Sequence, residues 1–283
     1  MKNLGKVFKE LRESRKISLR KATGGGFSAS LLSRFENGKS EISAQKLFVA
    51  LENIHANVEE LLFLARGFHH DANSEFRNQL FKAVDPKDLT SLSTLYQREY
   101  QQIPFSKDKR EHILNAILIK SYMKAIDETV TLTSEEERVL HDYLFSVEIW
   151  GHYELLFFSS CSPLLSVQLL TKYTREMLRK SDFLQGVGKN RNIMHTLLLN
   201  GFMACIEVDD LTNALYFKKQ IEKNFFEENE TYFRIVYLWA EGLLDSKQGR
   251  AEEGQRKMED AVCIFEMIGC SKSADYYRNV IER

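Results

Sequence analysis

Between Ser28 and Ser40 the chain carries side chains suited to hydrogen bonding and charge neutralisation rather than to bond making. Ser28 is placed to cap a short helix, Leu31, Leu32 and Phe35 give it an apolar side, and Asn37-Gly38 stops it with a residue tolerant of positive φ. Ser28, Ala29, Ser30, Ser33 and Arg34 then share the outer face, with Leu31 and Leu32 assigned to the core. A short helix whose first turn presents only small polar groups suits a DNA major groove. Serine hydroxyls discriminate bases weakly, Ala29 suits a thymine methyl, and Arg34 reaches a guanine edge or a phosphate. No Gln or Asn stands where it would bond adenine bidentately, so duplex shape and deformability are expected to carry much of the selectivity. Asn37, Lys39 and the helix start at Ser28 are expected to position the nucleic-acid backbone.

A second set of candidates lies far downstream. Asn200 interrupts the apolar run from Ile193 to Phe202, and a helix interior gains little from Asn unless its amide bonds something. Extended peptides need backbone partners of that kind, with alternate side chains entering apolar pockets. A hydrogen bond between two helices serves equally well and stays open. Trp150 and Tyr153 belong to an aromatic stripe with Phe157 and Phe158, a pattern met more often in a core than in a pocket. Arg191, Tyr232, Arg234 and Trp239 complete the set, because an Arg in an aromatic concavity can pair with an acidic group or a peptide's C-terminal carboxylate.

Other chemistry is poorly supported. Gly38-Lys39-Ser40 ends like a Walker A loop, but Ser33 stands where its first Gly belongs and no strand precedes it. Gly24-Gly25-Gly26 lacks the dinucleotide spacing and is expected only to let the backbone turn between two helices. His69-His70-Asp71 is expected to be polar linker, because adjacent histidines on a regular element point in different directions and no second cluster has ligand spacing. Catalysis by Cys-His or Ser-His-Asp requires assuming a fold first. The expectation is a protein that is not an enzyme, with neither metal nor cofactor.

The elements that must position these residues are helices. Leu4, Val7, Phe8 and Leu11 have helical spacing, Ser18 caps a second helix, and Ser43 caps one bearing Leu47, Leu51 and Ile54. Val58 to Leu64 completes a five-helix unit over residues 1–66. A polar linker at 67–74 leads into residues 75–283, with helices expected at 75–83, 87–101, 107–126, 135–149, 151–160, 163–181, 189–207, 210–224, 230–246, 250–268 and 271–282. Ser134-Glu-Glu-Glu137 is a capping-box pattern, and Gly186, Gly188, Gly249 and Gly269 punctuate later turns. From about residue 189 the helices come in pairs about 40 residues apart. Asp209–Tyr216 and Arg250–Val262 both begin acidic and place Ala where helices approach, and Ala261, Phe265 and Gly269 echo a degenerate tetratricopeptide repeat. Stacked pairs of this kind curve into a solenoid with a concave face, and such faces commonly hold extended peptides.

Composition agrees with an all-α chain: 43% hydrophobic, 28% charged and only three prolines in 283 residues. Residues 1–40 hold ten Lys and Arg against three Asp and Glu, a net of +7, while the whole chain nets −1. A basic head on a neutral chain is what phosphate neutralisation by one module requires, although a solvated helical bundle with an incidental charge excess shares the signal. The charged start is no signal peptide, and no apolar run reaches the ~20 residues that span a bilayer. Cys161, Cys205, Cys263 and Cys270 lack any Cys-x-x-Cys pair and read as reduced core thiols of a cytoplasmic protein with no membrane partner.

Arg12 and Glu36 are expected to meet across the head's core, orienting the guanidinium next to a phosphate. The stretch Ser33-Arg-Phe-Glu-Asn-Gly38 with Arg12 resembles the Cro/repressor-like helix-turn-helix family, in which an Arg of helix 1 and this Glu occupy matching places. Over its full length the chain resembles the Rgg/GadR/MutR-type transcription regulators of Gram-positive bacteria, most strongly at Ser33-Arg-Phe-Glu-Asn-Gly-Lys-Ser-Glu-Ile-Ser43 and Tyr143-Leu-Phe-Ser-Val-Glu-Ile-Trp-Gly-His-Tyr-Glu-Leu155. That resemblance implies a homodimer on a double-stranded promoter near-palindrome, with the helical body binding a short peptide signal in many members, as in quorum sensing. Some members carry a Cys at the position of Ala44 that links two heads; this chain does not. A body that senses a metabolite or stress, or a protein-interaction scaffold with a docking head, stays open.

Overall fold

The computed structural model describes residues 3–69, 71–84, 88–180, 188–223 and 225–281, and among them the chain is helical with no strand. His70, Gly186, Asn224 and the expected helix ends at 87, 181 and 282 lie outside the described residues. Two compact units divide the chain, Met1–Lys82 and Ala83–Arg283.

The first unit begins with α1 (Leu4–Ser14), α2 (Leu19–Thr23), α3 (Ala29–Glu36), α4 (Ala44–Asn53) and α5 (Val58–Ala65). Their starts follow from capping side chains: Asn3, Ser18, Ser28, Ser43 and Asn57 each accept from a backbone N–H of the first turn that has no partner within the helix. The apolar faces of these helices meet in one core around Phe8, Leu11, Leu32, Leu51, Ile54 and Leu61. Leu31, assigned to that core from sequence, is only half-buried and stands outside it. Gly5 lets α1 cross the end of α3, because a Cβ there would strike the Phe35 carbonyl. The polar stretch 67–74 is a turn at Gly67-Phe68 followed by α6 (Ala72–Val84), whose start Asp71 caps by accepting from the Ser74 N–H at 3.0 Å.

The second unit runs α7 (Leu89–Gln102), α8 (Lys109–Lys124), α9 (Ser134–Ser146), α10 (His152–Cys161), α11 (Val167–Lys180), α12 (Gly188–Glu207), α13 (Leu211–Lys223), α14 (Thr231–Lys247), α15 (Ala251–Met267) and α16 (Ser271–Ile281). α8, α10, α12 and α14 pack in succession, and α9, α13 and α15 each fold back on one of them. This is the stacking of helix pairs that the repeat spacing predicts. α11 starts late because Pro163 opens a short 3-10 turn instead of a helix. The capping box sits one residue before the expected one: Thr133 accepts from the Glu136 N–H and Glu136 accepts from the Thr133 N–H at 2.7 Å. Glu136 is the better choice because its carboxylate points inward to Lys120 at 2.6 Å and to Tyr96 and Tyr100.

The alanines singled out from sequence, Ala214 and Ala261, are fully buried, and glycine sets a further close helix approach. A Cβ on Gly242 of α14 would lie 2.5 Å from the Gly254 carbonyl of α15, so the two backbones touch there. The cysteines also divide: Cys161 and Cys205 are core, Cys270 is half-buried and Cys263 is exposed, because the outer face of α15 turns to solvent. No helix among the described residues is long and apolar enough to cross a membrane.

Candidate functional site

In the first unit α3 presents Ser28, Ser30 and Arg34 to solvent, with Ala29 and Ser33 half-buried beside them. Ser28 accepts from the Leu31 N–H at 3.2 Å, which fixes the helix start. At the other end Gly38 takes φ +70°. The Gly38 N–H donates to the Phe35 carbonyl and the Lys39 N–H to Arg34, the double closure of a Schellman turn. The Asn37 amide donates to the Ser33 carbonyl at 2.7 Å, so it serves the end of α3 first.

Arg12 and Glu36 meet as expected, but the consequence differs. Arg12 Nε lies 2.6 Å from Glu36 Oε1 and Nη2 lies 2.7 Å from Oε2, a bidentate pair between α1 and α3. Nη1 also donates to the Ile17 carbonyl at 2.8 Å, and Nη2 to Glu13. Arg12 is 7% exposed and its pKa is raised, chiefly by the hydrogen bond to Glu36. A guanidinium so enclosed ties α3 to α1 rather than contacting a phosphate itself. Arg15 is likewise engaged, with Glu60 at 2.9 Å. Arg20, Lys21, Arg34 and Lys39 are exposed and make no ion pair among the described residues. Sequence reading passed over Arg20 and Lys21; its available signal was a basic pair in the first turn after the Ser18 cap.

The candidates of the second unit separate into three groups. Asn200 and Trp239 line one cleft of about 350 Å³ between α11, α12, α14 and α16, together with Met203, Glu207 and Tyr277. Arg191 and Tyr232 line another, of about 570 Å³, at the first turns of α12 and α14. There Arg191 is already neutralised by a bidentate bridge to Glu230 at 2.9 and 3.1 Å. Arg191 holds the Glu230 carboxyl down to about 2. Buried His195 lies 3.3 Å from the same carboxylate, and its pKa is lowered, first by burial. Arg191 is therefore not a free cation awaiting a peptide carboxylate.

Trp150, Tyr153 and Arg234 join neither cleft. Trp150 is fully buried against Phe158, and Tyr153 stacks on Phe157 at the surface. Arg234 donates to the Phe226 and Glu227 carbonyls and lies over the Phe225 ring, clamping the loop before α14. These three are positioned for packing and loop closure.

Residues 94–279 match the family model described as the C-terminal domain of the HTH-type transcriptional regulator Rgg. The chain belongs to the Rgg family. A solved structure of a variant of the Streptococcus dysgalactiae SHP pheromone receptor Rgg2 is 26% identical, with a TM-score of 0.84 over 100% of this chain and 99% of that one. A putative transcriptional regulator from Listeria monocytogenes EGD-e is 19% identical (TM-score 0.82, covering 99% and 96%). A bacterial peptide pheromone/receptor complex is 16% identical (TM-score 0.72, covering 100% and 97%). Those two share the fold.

Within this Rgg-family chain, Met203 and Glu207 follow Asn200 at i+3 and i+7, so helical spacing alone would have placed them on its face. Tyr277 carries no such signal. It reaches the cleft because α16 folds back on α15, which brings Tyr277 against Trp239 of α14 with ring centroids 5.1 Å apart.

Proposed function

We propose that this chain is a homodimeric, sequence-specific transcription regulator whose first unit docks α3 in the DNA major groove and whose second unit senses a short peptide. One observation carries the DNA part. The polar face of α3 is exposed while its inner end is held rigidly through the buried Arg12–Glu36 pair, which is the preorganisation that groove recognition needs. Family membership and the basic head support the same reading. Four of the head's exposed cations that make no ion pair among the described residues, Arg20, Lys21, Arg34 and Lys39, supply phosphate contacts.

The peptide part is supported by the likeness to a pheromone receptor and by the cleft that joins Asn200 to Trp239. A peptide shifts the population of DNA-competent dimers only if it binds one arrangement better than the other.

Fluorescence anisotropy on the intergenic DNA upstream of the chain's own gene, across salt and with short apolar peptides encoded nearby, tests both parts. Two heads that each neutralise four phosphates give a slope of log K against log salt of about −7. Binding that ignores salt, or that shows no preference over random duplex, refutes the regulator and favours a protein-interaction scaffold. DNA binding unchanged by every peptide moves the body to a metabolite sensor.

A further inference from the structure

The cleft between α11, α12, α14 and α16 contains two polar groups that the fold leaves without partners. Trp239 is 2% exposed, yet its indole N–H has no acceptor among the described residues, as also holds for Trp150. A buried donor left unsatisfied is costly, and unlike Trp150 this residue lines the cleft, so a ligand that lets the ring turn and supplies an acceptor would remove that cost. Asn200, half-buried on α12, makes no hydrogen bond among the described residues and offers both a donor and an acceptor. Among the described residues that line the cleft, one carries a charge. Glu207 is exposed and makes no ion pair among the described residues, whereas its neighbour Asp209 is neutralised by Lys247 at 2.8 Å. Most of the remaining wall is apolar, from Pro163, Leu170, Met203 and Tyr277.

The spacing of these groups sets a length and a direction. Asn200 and Glu207 stand seven residues apart on one helix, a rise of about 10 Å. An extended chain covers that distance in about three residues. We infer that this cleft takes the first three residues of a short apolar peptide, with the free amino terminus at Glu207 and the backbone carbonyls and amides on Trp239 and Asn200. The inference rests on the peptide-sensing reading of the second unit and adds orientation and charge to it. An uncapped amino terminus becomes a requirement of the ligand, and a peptide blocked there is a poor one. Arg191 in the neighbouring cleft, closed by Glu230, does not compete as an anchor for the carboxyl end.

Both tryptophans of the chain give one indole N–H resonance each, and Trp150, fully buried away from the cleft, serves as the internal control. The full-length protein is titrated with leucyl-alanyl-leucinamide and with its N-acetyl form, and the Trp239 resonance is assigned with Trp239→Phe. The free amine is expected to shift the Trp239 resonance saturably and to bind about five-fold more tightly than the acetylated form, the upper end of the span of an exposed ion pair. Glu207→Gln should abolish that preference while the Trp239 shift persists. Equal binding of the two forms, or a preference that survives Glu207→Gln, overturns the orientation. A Trp239 resonance unmoved by either overturns the cleft as the site. The readout does not involve DNA. Loss of peptide-responsive promoter binding beside an intact Trp239 shift counts against the proposed function, and the reverse result against this inference.

Discussion

Replacing Glu36 by Ala removes the carboxylate that holds Arg12 from both sides and leaves a guanidinium 7% exposed without its main partner. Breaking a buried ion pair by deleting one member costs about 3–5 kcal/mol. Arg12 keeps the Ile17 carbonyl and Glu13, so the lower end, about 3 kcal/mol, applies here. The first unit spans Met1–Lys82. A unit of that size is stable by only about 4–12 kcal/mol, and each kcal/mol moves its melting point by about 4–8 °C. The expected fall is about 12–24 °C, confined to this unit. Both tryptophans, Trp150 and Trp239, lie in the second unit, so tryptophan fluorescence follows that unit alone while far-ultraviolet ellipticity follows both. In Glu36→Ala the ellipticity melt should gain an early transition and the fluorescence melt should stay where it was. Replacing the pair together, Arg12→Met with Glu36→Leu, should restore most of the loss, because no buried charge is then left unpaired. An unchanged ellipticity melt, or a double variant as unstable as the single one, would refute the claim that this pair ties α1 to α3.

Arg34→Ala should leave the melts intact, since Arg34 is exposed, yet lower promoter affinity and reduce the salt slope by about one per head; retained affinity at physiological salt rejects the docking of α3. The Arg191–Glu230 bridge depresses the Glu230 carboxyl to about 2 from an ordinary 4.5, so its stabilisation is full above pH 4.5 and fades as pH falls toward 2. Melting points of wild type and Arg191→Ala, compared across that range, should therefore differ most above pH 5 and converge near pH 2; a gap that widens with acid contradicts the assignment. Gly242→Ala should destabilise the second unit by about 1–3 kcal/mol, because the new Cβ meets the Gly254 backbone and α14 must move off α15. Tryptophan fluorescence reads that loss, and an unshifted melt would mean that the two helices are not in backbone contact.

Local rules made much of this fold legible. Helical periodicity and capping residues located the helices because both act within one or two turns, as at Ser18, Ser28 and Ser43. Where they misplaced a boundary, tertiary packing had intervened. Glu136 rather than Glu137 closes the capping box because Lys120, Tyr96 and Tyr100 draw its carboxylate inward. Leu31 and Leu32 look alike in a sequence, and only the position of the neighbouring helices decides that Leu32 enters the core and Leu31 does not.

The two sites divide in the same way. Ser28, Ser30, Ser33 and Arg34 share one short helix, so composition and spacing determined their common face before any tertiary contact was considered. The cleft lined by Asn200 and Trp239 draws on four separate helices, α11, α12, α14 and α16, and its membership depends on how those helices stack. Sequence named Asn200 and Trp239 by their odd chemistry but also named Trp150 and Arg234, because nothing local distinguishes an aromatic or an Arg facing a cleft from one buried in packing or clamping a loop. The sequence by itself determined the helices, the basic head and the polar face of α3. The tertiary structure alone decided that Arg12 is enclosed, that Arg191 is neutralised by Glu230, and that Trp239 has a donor with no acceptor among the described residues, since pairing across distant helices is set by their packing and not by their order in the chain.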